Sequence, residues 1–436
     1  MVGLLSPKYV RDNLEAIRGS LKKRKSNYPL EELLKLDAEC RRIGVELQGL
    51  RASRNKGSME VAELKKAKKE PGDAKMKELS GIKERIESIE ASLPSYETRI
   101  DSLLMNMPNV LDDNVPFGKD DGDNVEIRKH GAIIRSKSPS HEDILTKLDL
   151  IDLEQAAKVS GARFFYLKGD LALLEQALIR FAIDELAAKG YTLIAPPLLM
   201  KKEYYKGVTA FGDFEDMLYK ATDPNEAKEK KAIEHTEDEL YMIGTSEHPI
   251  AAMYADKVLS GSELPKRFIG VSPCFRREAG AHGKDTKGIF RVHHFYKVEQ
   301  FIFSRRDESA VLFDELIENA ESLFKKLKIP YRIVDVCTGD IGTVAARKYD
   351  LEAYMPAQQE YREMVSCSNC TDWQSLRLNI KYDERGKRDY VHTLNSTAIA
   401  TSRTIVAIVE NYYNDDGTIT VPDALVKYMG KSKISR

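Results

Sequence analysis

Two long runs of apolar residues, spaced alternately three and four positions apart, constrain the fold of the first quarter of the chain. The first run follows Pro29, the second ends near Met107, and residues 71–73 (Pro-Gly-Asp) separate them. Such spacing is typical of a coiled-coil seam, and the Pro-Gly pair breaks a helix. The pattern therefore predicts an antiparallel pair of long helices, with Pro94 kinking or interrupting the second. A shorter amphipathic helix is predicted over residues 6–24. The seam positions are Leu33, Leu36, Cys40, Ile43, Leu47, Leu50, Val61, Leu64, Leu79, Ile82, Ile86, Ile89, Leu93, Tyr96, Ile100, Leu103 and Met107.

The outer faces of this predicted hairpin are rich in basic side chains near its tip. They are Arg51, Arg54, Lys56, Lys65, Lys66, Lys68, Lys69, Lys75 and Lys77. A basic surface suits a nucleic-acid backbone, because such binding depends mainly on neutralising phosphates. A solvated coiled coil shows similar charges, so the pattern alone leaves both interpretations open.

The remainder of the chain indicates an α+β domain. Residues 108–131 are rich in Asp, Asn, Gly and Pro and are interpreted as a linker. An antiparallel hairpin is predicted over 268–301, because two apolar strands flank a polar, glycine-containing segment. The order of elements favours a mainly antiparallel sheet with helices packed on it. The further predicted helices are 172–189, 309–327 and 398–411, and the further predicted strands are 191–195, 332–335, 363–366 and 377–382. The predicted boundaries are a helical domain over 1–110, a linker over 111–135 and a second domain over 136–436.

Several functional classes are disfavoured by what the sequence lacks. It contains neither a G-x-G-x-x-G nor a P-loop pattern, which argues against a Rossmann or P-loop nucleotide site. It has no secretory signal and no apolar stretch near the ~20 residues of a membrane span, so a cytoplasmic protein without membrane contact is expected. The five cysteines fit reduced thiols. Cys367 and Cys370 lack a second ligand pair nearby, so no structural zinc is expected.

Several polar residues in otherwise apolar surroundings suggest a binding site. Arg276 and Arg403 suit a polyphosphate, and Glu363 with Ser366 suits Mg²⁺, which takes oxygen ligands together with phosphates. Thr245-Ser246-Glu247 suits an ammonium group, although a helix N-cap explains it equally well. Glu299 with Thr397 suits a small polar side chain. Together these residues describe a site for ATP and a small amino compound.

Three longer segments carry a resemblance to a known family. Residues 190–197 (GYTLIAPP), 275–278 with 291–295 (FRRE and RVHHF) and 395–403 (NSTAIATSR) are similar to motifs 1, 2 and 3 of class II aminoacyl-tRNA synthetases. Ser402 stands where the common motif 3 pattern has glycine. The TSE segment 245–247, the EMVSCSNC segment 363–370 and the helical hairpin are similar to features of the seryl-tRNA synthetases, and the resemblance covers nearly the whole chain.

The resemblance implies a role for each matching residue. It implies that Arg276 and Arg403 are catalytic through their contacts with the α- and γ-phosphates, that Glu278 receives the adenine amino group, and that Phe295 stacks on the ring. The implied ATP-binding residues are Arg276, Arg277, Glu278, Arg291, Val292, Phe295, Glu363, Met364, Val365, Ser366 and Arg403. The implied serine-binding residues are Thr245, Ser246, Glu247, Arg276, Glu299, Asn395 and Thr397. Glu363 and Ser366 are the implied Mg²⁺ ligands. The implied tRNA-binding residues are Arg51, Arg54, Lys65, Lys66, Lys68, Lys69, His282 and Lys284.

These expectations define a homodimeric serine–tRNA ligase. Such an enzyme converts L-serine and ATP to seryl-adenylate and transfers serine to the 3′-end of tRNA(Ser). Two alternatives stay open: a ligase that loads an amino acid onto a carrier protein, and a catalytically inactive homologue that only binds RNA.

Overall fold

The computed structural model describes residues 6–68, 70–133, 137–221, 239–278 and 287–436. Residues 222–238, a charged stretch that we interpret from the sequence as a surface insertion, lie outside the described residues. By internal contacts the described residues divide into two units, one within residues 6–21 and 26–107, the other within residues 22–25 and 108–436.

The first unit is built from four helices. They are α1 (Pro7–Asp12), α2 (Leu14–Lys23), α3 (Leu30–Lys66) and α4 (Asp73–Met105). The single helix predicted over 6–24 is thus two helices that meet at Asn13. Of the two effects predicted for Pro94, a kink or an interruption, the interruption does not occur, because α4 continues through this residue.

The long helices α3 and α4 pack along the predicted seam. Ile43, Leu47, Ile86 and Ile89 form its buried centre. Ion pairs join Glu32 to Arg99 near one end and Glu60 to Lys75 near the other, so the helices run antiparallel. Burial of apolar side chains between the helices contributes more to the stability of this unit than the ion pairs do, since exposed ion pairs contribute little.

The second unit contains an eight-stranded sheet in the order β1-β11-β12-β13-β16-β10-β9-β4. All neighbours are antiparallel except β4 and β9. The strands are β1 (Val125–His130), β4 (Thr192–Ile194), β9 (Lys266–Phe275), β10 (His294–Ser304), β11 (Tyr331–Asp335), β12 (Arg347–Met355), β13 (Glu360–Asn369) and β16 (His392–Ala400). The fold is therefore the expected α+β arrangement of long N-terminal helices and a mainly antiparallel sheet flanked by helices.

Helices and short strands surround this sheet. The helices are α5 (His141–Lys147), α6 (Leu153–Ser160), α7 (Asp170–Ala187), α8 (Lys202–Val208), α9 (Phe211–Phe214), α10 (Glu247–Ala252), α11 (Ser309–Lys326), α12 (Trp373–Leu378), α13 (Thr401–Tyr412) and α14 (Asp423–Met429). The short strands are β2 (Ile151–Asp152), β3 (Tyr166–Leu167), β5 (Leu199–Lys201), β6 (Lys220–Ala221), β7 (Leu240–Met242), β8 (Val258–Ser260), β14 (Lys381–Glu384), β15 (Lys387–Tyr390), β17 (Ile419–Thr420) and β18 (Lys433–Ile434). Helices α7, α11 and α13 contribute to the main hydrophobic core.

Some predicted elements differ from the structure. Residues 125–130, within the predicted linker, form strand β1, which pairs with β11. The helix predicted over 398–411 begins only at Thr401, so Thr397 lies in a strand. Within the predicted strand 377–382, residues 377–378 end helix α12. The second strand of the predicted hairpin begins at His294 rather than near Ile289.

Candidate active site

Three neighbouring strands, β10, β13 and β16, provide half of the polar residues that line one cavity of about 300 Å³, and Arg276 and Glu278 follow the end of β9. We call it the active-site cavity. Its walls combine three arginines, one lysine, four carboxylates and several hydroxyl groups from segments far apart in sequence. The lining residues are Thr245, Glu247, Arg276, Glu278, Phe290, Arg291, Val292, Phe295, Lys297, Glu299, Glu363, Met364, Ser366, Ser368, Asn395, Thr397, Ala400, Ser402 and Arg403.

Arg276 follows the end of β9 and is held from several sides. Its backbone N donates to the carbonyl O of His293 at 3.0 Å, and its Nε donates to the carbonyl O of Gly244 at 3.1 Å. Its guanidinium carbon lies 5.5 Å from the centre of the Phe295 ring. An arginine fixed in this way presents its remaining N–H groups to the cavity, where an oxyanion can accept them.

Glu278 and Arg291 form an ion pair between the two ends of the segment that connects β9 to β10. Glu278 Oε2 lies 3.0 Å from Arg291 Nε, and the Glu278 side chain is largely buried. Glu278 adopts a φ of +48°, which is uncommon for a residue other than glycine. The pair brings an acceptor and a planar cation to one edge of the cavity, next to Phe295.

Arg403, in the first turn of α13, lies beside Glu363. Its Nη1 donates to the backbone carbonyl of Glu363 at 2.8 Å and lies 3.4 Å from the carboxylate. Desolvation acts to raise the pKa of Glu363, but the charges of Arg403, Lys348 and Arg276 outweigh it and hold this pKa below its ordinary value. Glu363 is therefore ionised near neutral pH and can bind a cation.

A buried group of charges occupies the other end of the cavity. Lys297 Nζ lies 2.7 Å from Glu299 Oε2, and both side chains are almost fully buried. Thr397 Oγ1 donates to the same carboxylate oxygen at 3.3 Å. The β10–β16 register places Glu299 opposite Thr397, next to a bulge between Val298 and Glu299. The arrangement suits a small ligand with a hydroxyl group.

Glu247 lies near this group and accepts a hydrogen bond from Gln374 Nε2 at 3.1 Å. Burial and the charge of Glu299 raise the pKa of Glu247 to about 7. The carboxylates of Glu247 and Glu299 repel each other, and an ammonium group placed between them would reduce this repulsion. Thr245 Oγ1 accepts from the backbone N of Glu247, the first residue of α10, at 3.2 Å, whereas the N-cap residue of this helix is Ser246, whose side chain makes no capping hydrogen bond.

Three predicted site residues do not line the cavity. Val365 is fully buried in the main core on the opposite face of β13. Ser246 is buried against Gly270, where a Cβ would meet its hydroxyl, and Arg277 is exposed, with its backbone N bonded to the carbonyl of Met217. Each is a neighbour in sequence of a lining residue, and strand or turn geometry directs it elsewhere. Lys69, His282 and Lys284 lie outside the described residues.

Several lining residues were missed by the motif-based reasoning. Lys297 lies two positions before Glu299 and Ser368 two positions after Ser366, so the period of two along a strand was the available signal. Phe290 directly precedes Arg291, and Ala400 and Ser402 are the small residues beside Arg403. Gln374 had no such signal, because its contact with Glu247 depends on the tertiary fold.

The donor set around Ser366 fits a magnesium ion held largely by phosphates. Glu363 supplies one carboxylate and Ser366 one hydroxyl on the cavity side. Asp350, opposite Ser366 in the β12–β13 register, is buried, and its Oδ1 lacks a protein partner. Mg²⁺ is commonly bound through one or two carboxylates together with substrate phosphates. Among the described residues there is no cluster of three or more His, Cys, Asp or Glu side chains that would form an all-protein metal site.

The two cysteines of the Cys367-x-x-Cys370 pattern are both buried. Cys367 packs in the main core, whereas the Cys370 sulfur accepts a hydrogen bond from Asn395 at 3.5 Å. Burial raises the pKa of both thiols well above the ordinary value. Such thiols favour the protonated form, which is a poor metal ligand.

The residues of the helical unit that are predicted to contact tRNA lie on α3 and just after it. The described ones, Arg51, Arg54, Lys65, Lys66 and Lys68, are all exposed. Arg51 forms an ion pair of 2.6 Å with Glu90, so its charge is partly offset.

Comparisons with known proteins agree with this geometry. Residues 230–412 match the family described as tRNA synthetase class II core domain (G, H, P, S and T), and residues 4–111 match the seryl-tRNA synthetase N-terminal domain. The fold and the cavity are thus those of a class II aminoacyl-tRNA synthetase.

Relatives similar along the whole length define the particular family. A serine–tRNA ligase of Thermococcus sibiricus is 46% identical, with 99% of this chain and 97% of the relative covered. One of Methanoculleus marisnigri is 47% identical, with 98% and 99% covered. The crystal structure of seryl-tRNA synthetase from Pyrococcus horikoshii complexed with ATP has a TM-score of 0.89 and 45% identity, with 99% of each chain covered. A cytoplasmic serine–tRNA ligase from Naegleria fowleri, in complex with AMP, has a TM-score of 0.84 and 35% identity, with 100% of this chain and 99% of that chain covered. The chain belongs to the seryl-tRNA synthetase family.

The helices give one further result. None of those in the described parts of the chain is both long enough and apolar enough to cross a bilayer.

Proposed function

We propose that this protein is a serine–tRNA ligase that activates L-serine with ATP to seryl-adenylate and transfers serine to the 3′-end of tRNA(Ser). The observation that carries the proposal is one cavity with two distinct ends. At one end Arg276, Arg403 and Phe295 suit a nucleoside triphosphate. At the other, Glu299 with Thr397 suits a hydroxyl group.

In the proposed reaction the serine carboxylate attacks the α-phosphorus and pyrophosphate leaves. Arg276, which Gly244 and Phe295 hold in place, binds the α-phosphate and stabilises the charge that develops there. Arg403 binds the γ-phosphate, and Glu278 accepts the adenine amino group while the ring stacks on Phe295. None of these residues is a nucleophile, so the rate enhancement comes from alignment and electrostatics.

Glu363 and Ser366 would hold Mg²⁺ beside the phosphates. When bound, the ion neutralises part of the triphosphate charge and favours departure of pyrophosphate. Glu363 is suited to this role because neighbouring cations keep its pKa low. Arg403 keeps the Glu363 backbone in place through its hydrogen bond to the carbonyl.

The other end of the cavity would select serine. Glu299 would accept the hydrogen bond that the serine hydroxyl donates, with Thr397, whose own hydroxyl donates to Glu299, beside it, while Glu247 and Thr245 face the ammonium group. Alanine or glycine would leave these buried groups unpaired, and such a mismatch can reduce kcat/KM by about 10⁴-fold. Lys297 lies 2.7 Å from Glu299 and fixes the position of its carboxylate.

The partners and the organisation of the chain belong to the same proposal. The exposed basic residues of α3 would bind the phosphates of tRNA(Ser). The enzyme would act as a cytoplasmic homodimer through residues 190–197, which contain strand β4. This strand lies at the edge of the main sheet, and Leu193 in it is half exposed. The proposed domain boundaries are 1–110, 111–135 and 136–436.

ATP–pyrophosphate exchange with serine, threonine, alanine and glycine tests the activation step. We expect exchange with serine far above the other three amino acids. Replacing residues 29–108 with a short linker should abolish tRNA charging and preserve serine-dependent exchange. Exchange that is absent from folded protein supplied with Mg²⁺ would contradict the proposed activity. Full tRNA charging by the shortened protein would instead contradict the role of the helices.

A further inference from the structure

A histidine and a glutamate that have no role in the proposed reaction meet beside the active-site cavity. His141 begins α5, Glu410 lies near the end of α13, and both are buried. His141 Nδ1 lies 3.0 Å from Glu410 Oε1, which also accepts from the His141 backbone N at 3.3 Å. The other oxygen, Oε2, accepts from the backbone N of Ala357 at 3.1 Å. One carboxylate thus joins α5, α13 and the turn after β12.

The second ring nitrogen of His141 contacts the segment that leads into β10. The backbone N of Ile289 donates to Nε2 at 3.2 Å. Because Nε2 accepts this bond, the ring proton lies on Nδ1 and is donated to Glu410. Gly288 adopts a φ of +70° against the same nitrogen, and a Cβ there would overlap His141. Only glycine permits this close approach.

Phe290, which follows Ile289 in the chain, forms part of the wall between two cavities. Its ring borders the active-site cavity on one side and a second cavity of about 340 Å³, lined also by His141 and Glu410, on the other. The ring is buried and packs in the main hydrophobic core, but it has a cavity on each side, so a shift of its backbone can move it. Its position depends on the backbone that His141 holds at Ile289.

The Phe290 ring connects this backbone to the proposed γ-phosphate site. The guanidinium carbons of Arg362 and Arg403 lie 4.8 and 5.1 Å from its centre. A guanidinium group over an aromatic face is attracted to it. Displacement of the ring would therefore remove one support of Arg403.

We propose that His141 and Glu410 are a positioning pair for the nucleotide end of the active site. They act through Ile289 and Phe290 on Arg403, and they touch neither ATP nor serine. The inference rests on the proposed function for its kinetic readout, but the hydrogen bonds that carry it do not depend on the choice of amino acid.

Two substitutions of His141 separate its two hydrogen bonds. His141→Asn keeps an amide near the position of Nδ1, facing Glu410, and offers nothing to Ile289. His141→Gln places an amide oxygen near the position of Nε2 and keeps the bond to Ile289. For His141→Asn we expect kcat/KM for ATP to fall by about ten- to a hundredfold, the loss typical of a small misplacement of binding groups. The KM for serine should change little, and His141→Gln should recover most of the loss.

Tyr412→Phe is a matched control on the same helix as Glu410. The Tyr412 hydroxyl donates to the carbonyl of Leu327 at 2.7 Å, so this variant loses one hydrogen bond of α13 that does not lead to the cavity. It should lose thermal stability without a change in the KM for ATP. If His141→Asn does not fold, Gly288→Ala perturbs the same contact from the opposite side and should weaken ATP use in the same way.

A double-mutant cycle with Phe290→Leu tests the proposed route. If His141 acts through the Phe290 ring, His141→Asn should lower kcat/KM for ATP by a much smaller factor in the Phe290→Leu background than in the wild-type protein. The inference is overturned if His141→Asn and His141→Gln are equally impaired, or if serine and ATP are affected equally. Absence of serine-dependent exchange in the wild-type protein would refute the proposed function instead, and calorimetric titration of ATP into the same variants would then decide the inference.

Discussion

Replacing Glu299 with glutamine tests the serine end of the cavity most directly. The variant keeps the size and an acceptor oxygen but removes the charge that Lys297 and Thr397 surround. A hydrogen bond to a charged group contributes about 1.5–3 kcal/mol, compared with about 1 kcal/mol for a neutral one. The difference of about 0.5–2 kcal/mol between the charged and the neutral bond to the serine hydroxyl should therefore lower kcat/KM for serine by roughly two- to thirtyfold, at about 1.4 kcal/mol per factor of ten.

The same substitution also leaves the ammonium of Lys297 buried without its nearest partner. Breaking one side of a buried ion pair costs about 3–5 kcal/mol of stability. Glu321→Gln is a matched control, because Glu321 is equally buried and pairs with Arg128 at 2.6 Å outside the cavity. It should be destabilised without a change in serine selectivity.

Pyrophosphate exchange, measured with serine and ATP varied separately, distinguishes these effects. We expect the loss for Glu299→Gln in kcat/KM for serine, with the KM for ATP nearly unchanged. Equal losses for the two substrates would refute the assignment of Glu299 to the amino-acid pocket. An equal loss of serine use in Glu321→Gln would show that general destabilisation is the cause.

Three further predictions concern pH, phosphate binding and metal content. Since the pKa of Glu247 is raised to about 7, its carboxyl becomes neutral as the pH falls and pairs poorly with an ammonium group. The kcat/KM for serine should then fall about tenfold per pH unit below this pKa, and a pH profile of Glu247→Gln that kept the same slope would exclude this group. Arg403→Lys replaces a planar, forked donor by a point charge, so kcat/KM for ATP should fall by roughly tenfold or more while the KM for serine stays similar. Metal analysis of the purified protein should find no stoichiometric zinc, and one zinc per chain would contradict the interpretation of Cys367 and Cys370 as core residues.

The sequence was most informative where periodicity is local. The alternation of three and four between Leu33 and Met107 depends only on helix geometry, so it predicted α3 and α4. The interruption expected at Pro94 did not occur. A proline removes one backbone hydrogen bond, and packing of the neighbouring seam residues offsets this cost within a long helix.

Elements that depend on pairing between distant segments were not predictable in the same way. All six residues of β1 are exposed, so no apolar pattern distinguishes them from the linker. They form a strand because residues 331–335, two hundred positions later, provide the partner. Strand β12 was likewise not among the predicted strands.

The sequence by itself determined the chemical types of the site residues and the two helical seams, because motifs and periodicity are local properties. The tertiary structure decided which of these residues share one cavity. It directs the side chain of Val365 into the core, places Lys297 beside Glu299, and brings His141 against Gly288. The physical reason is that strand register and helix packing, which no short stretch encodes, set the direction of each side chain.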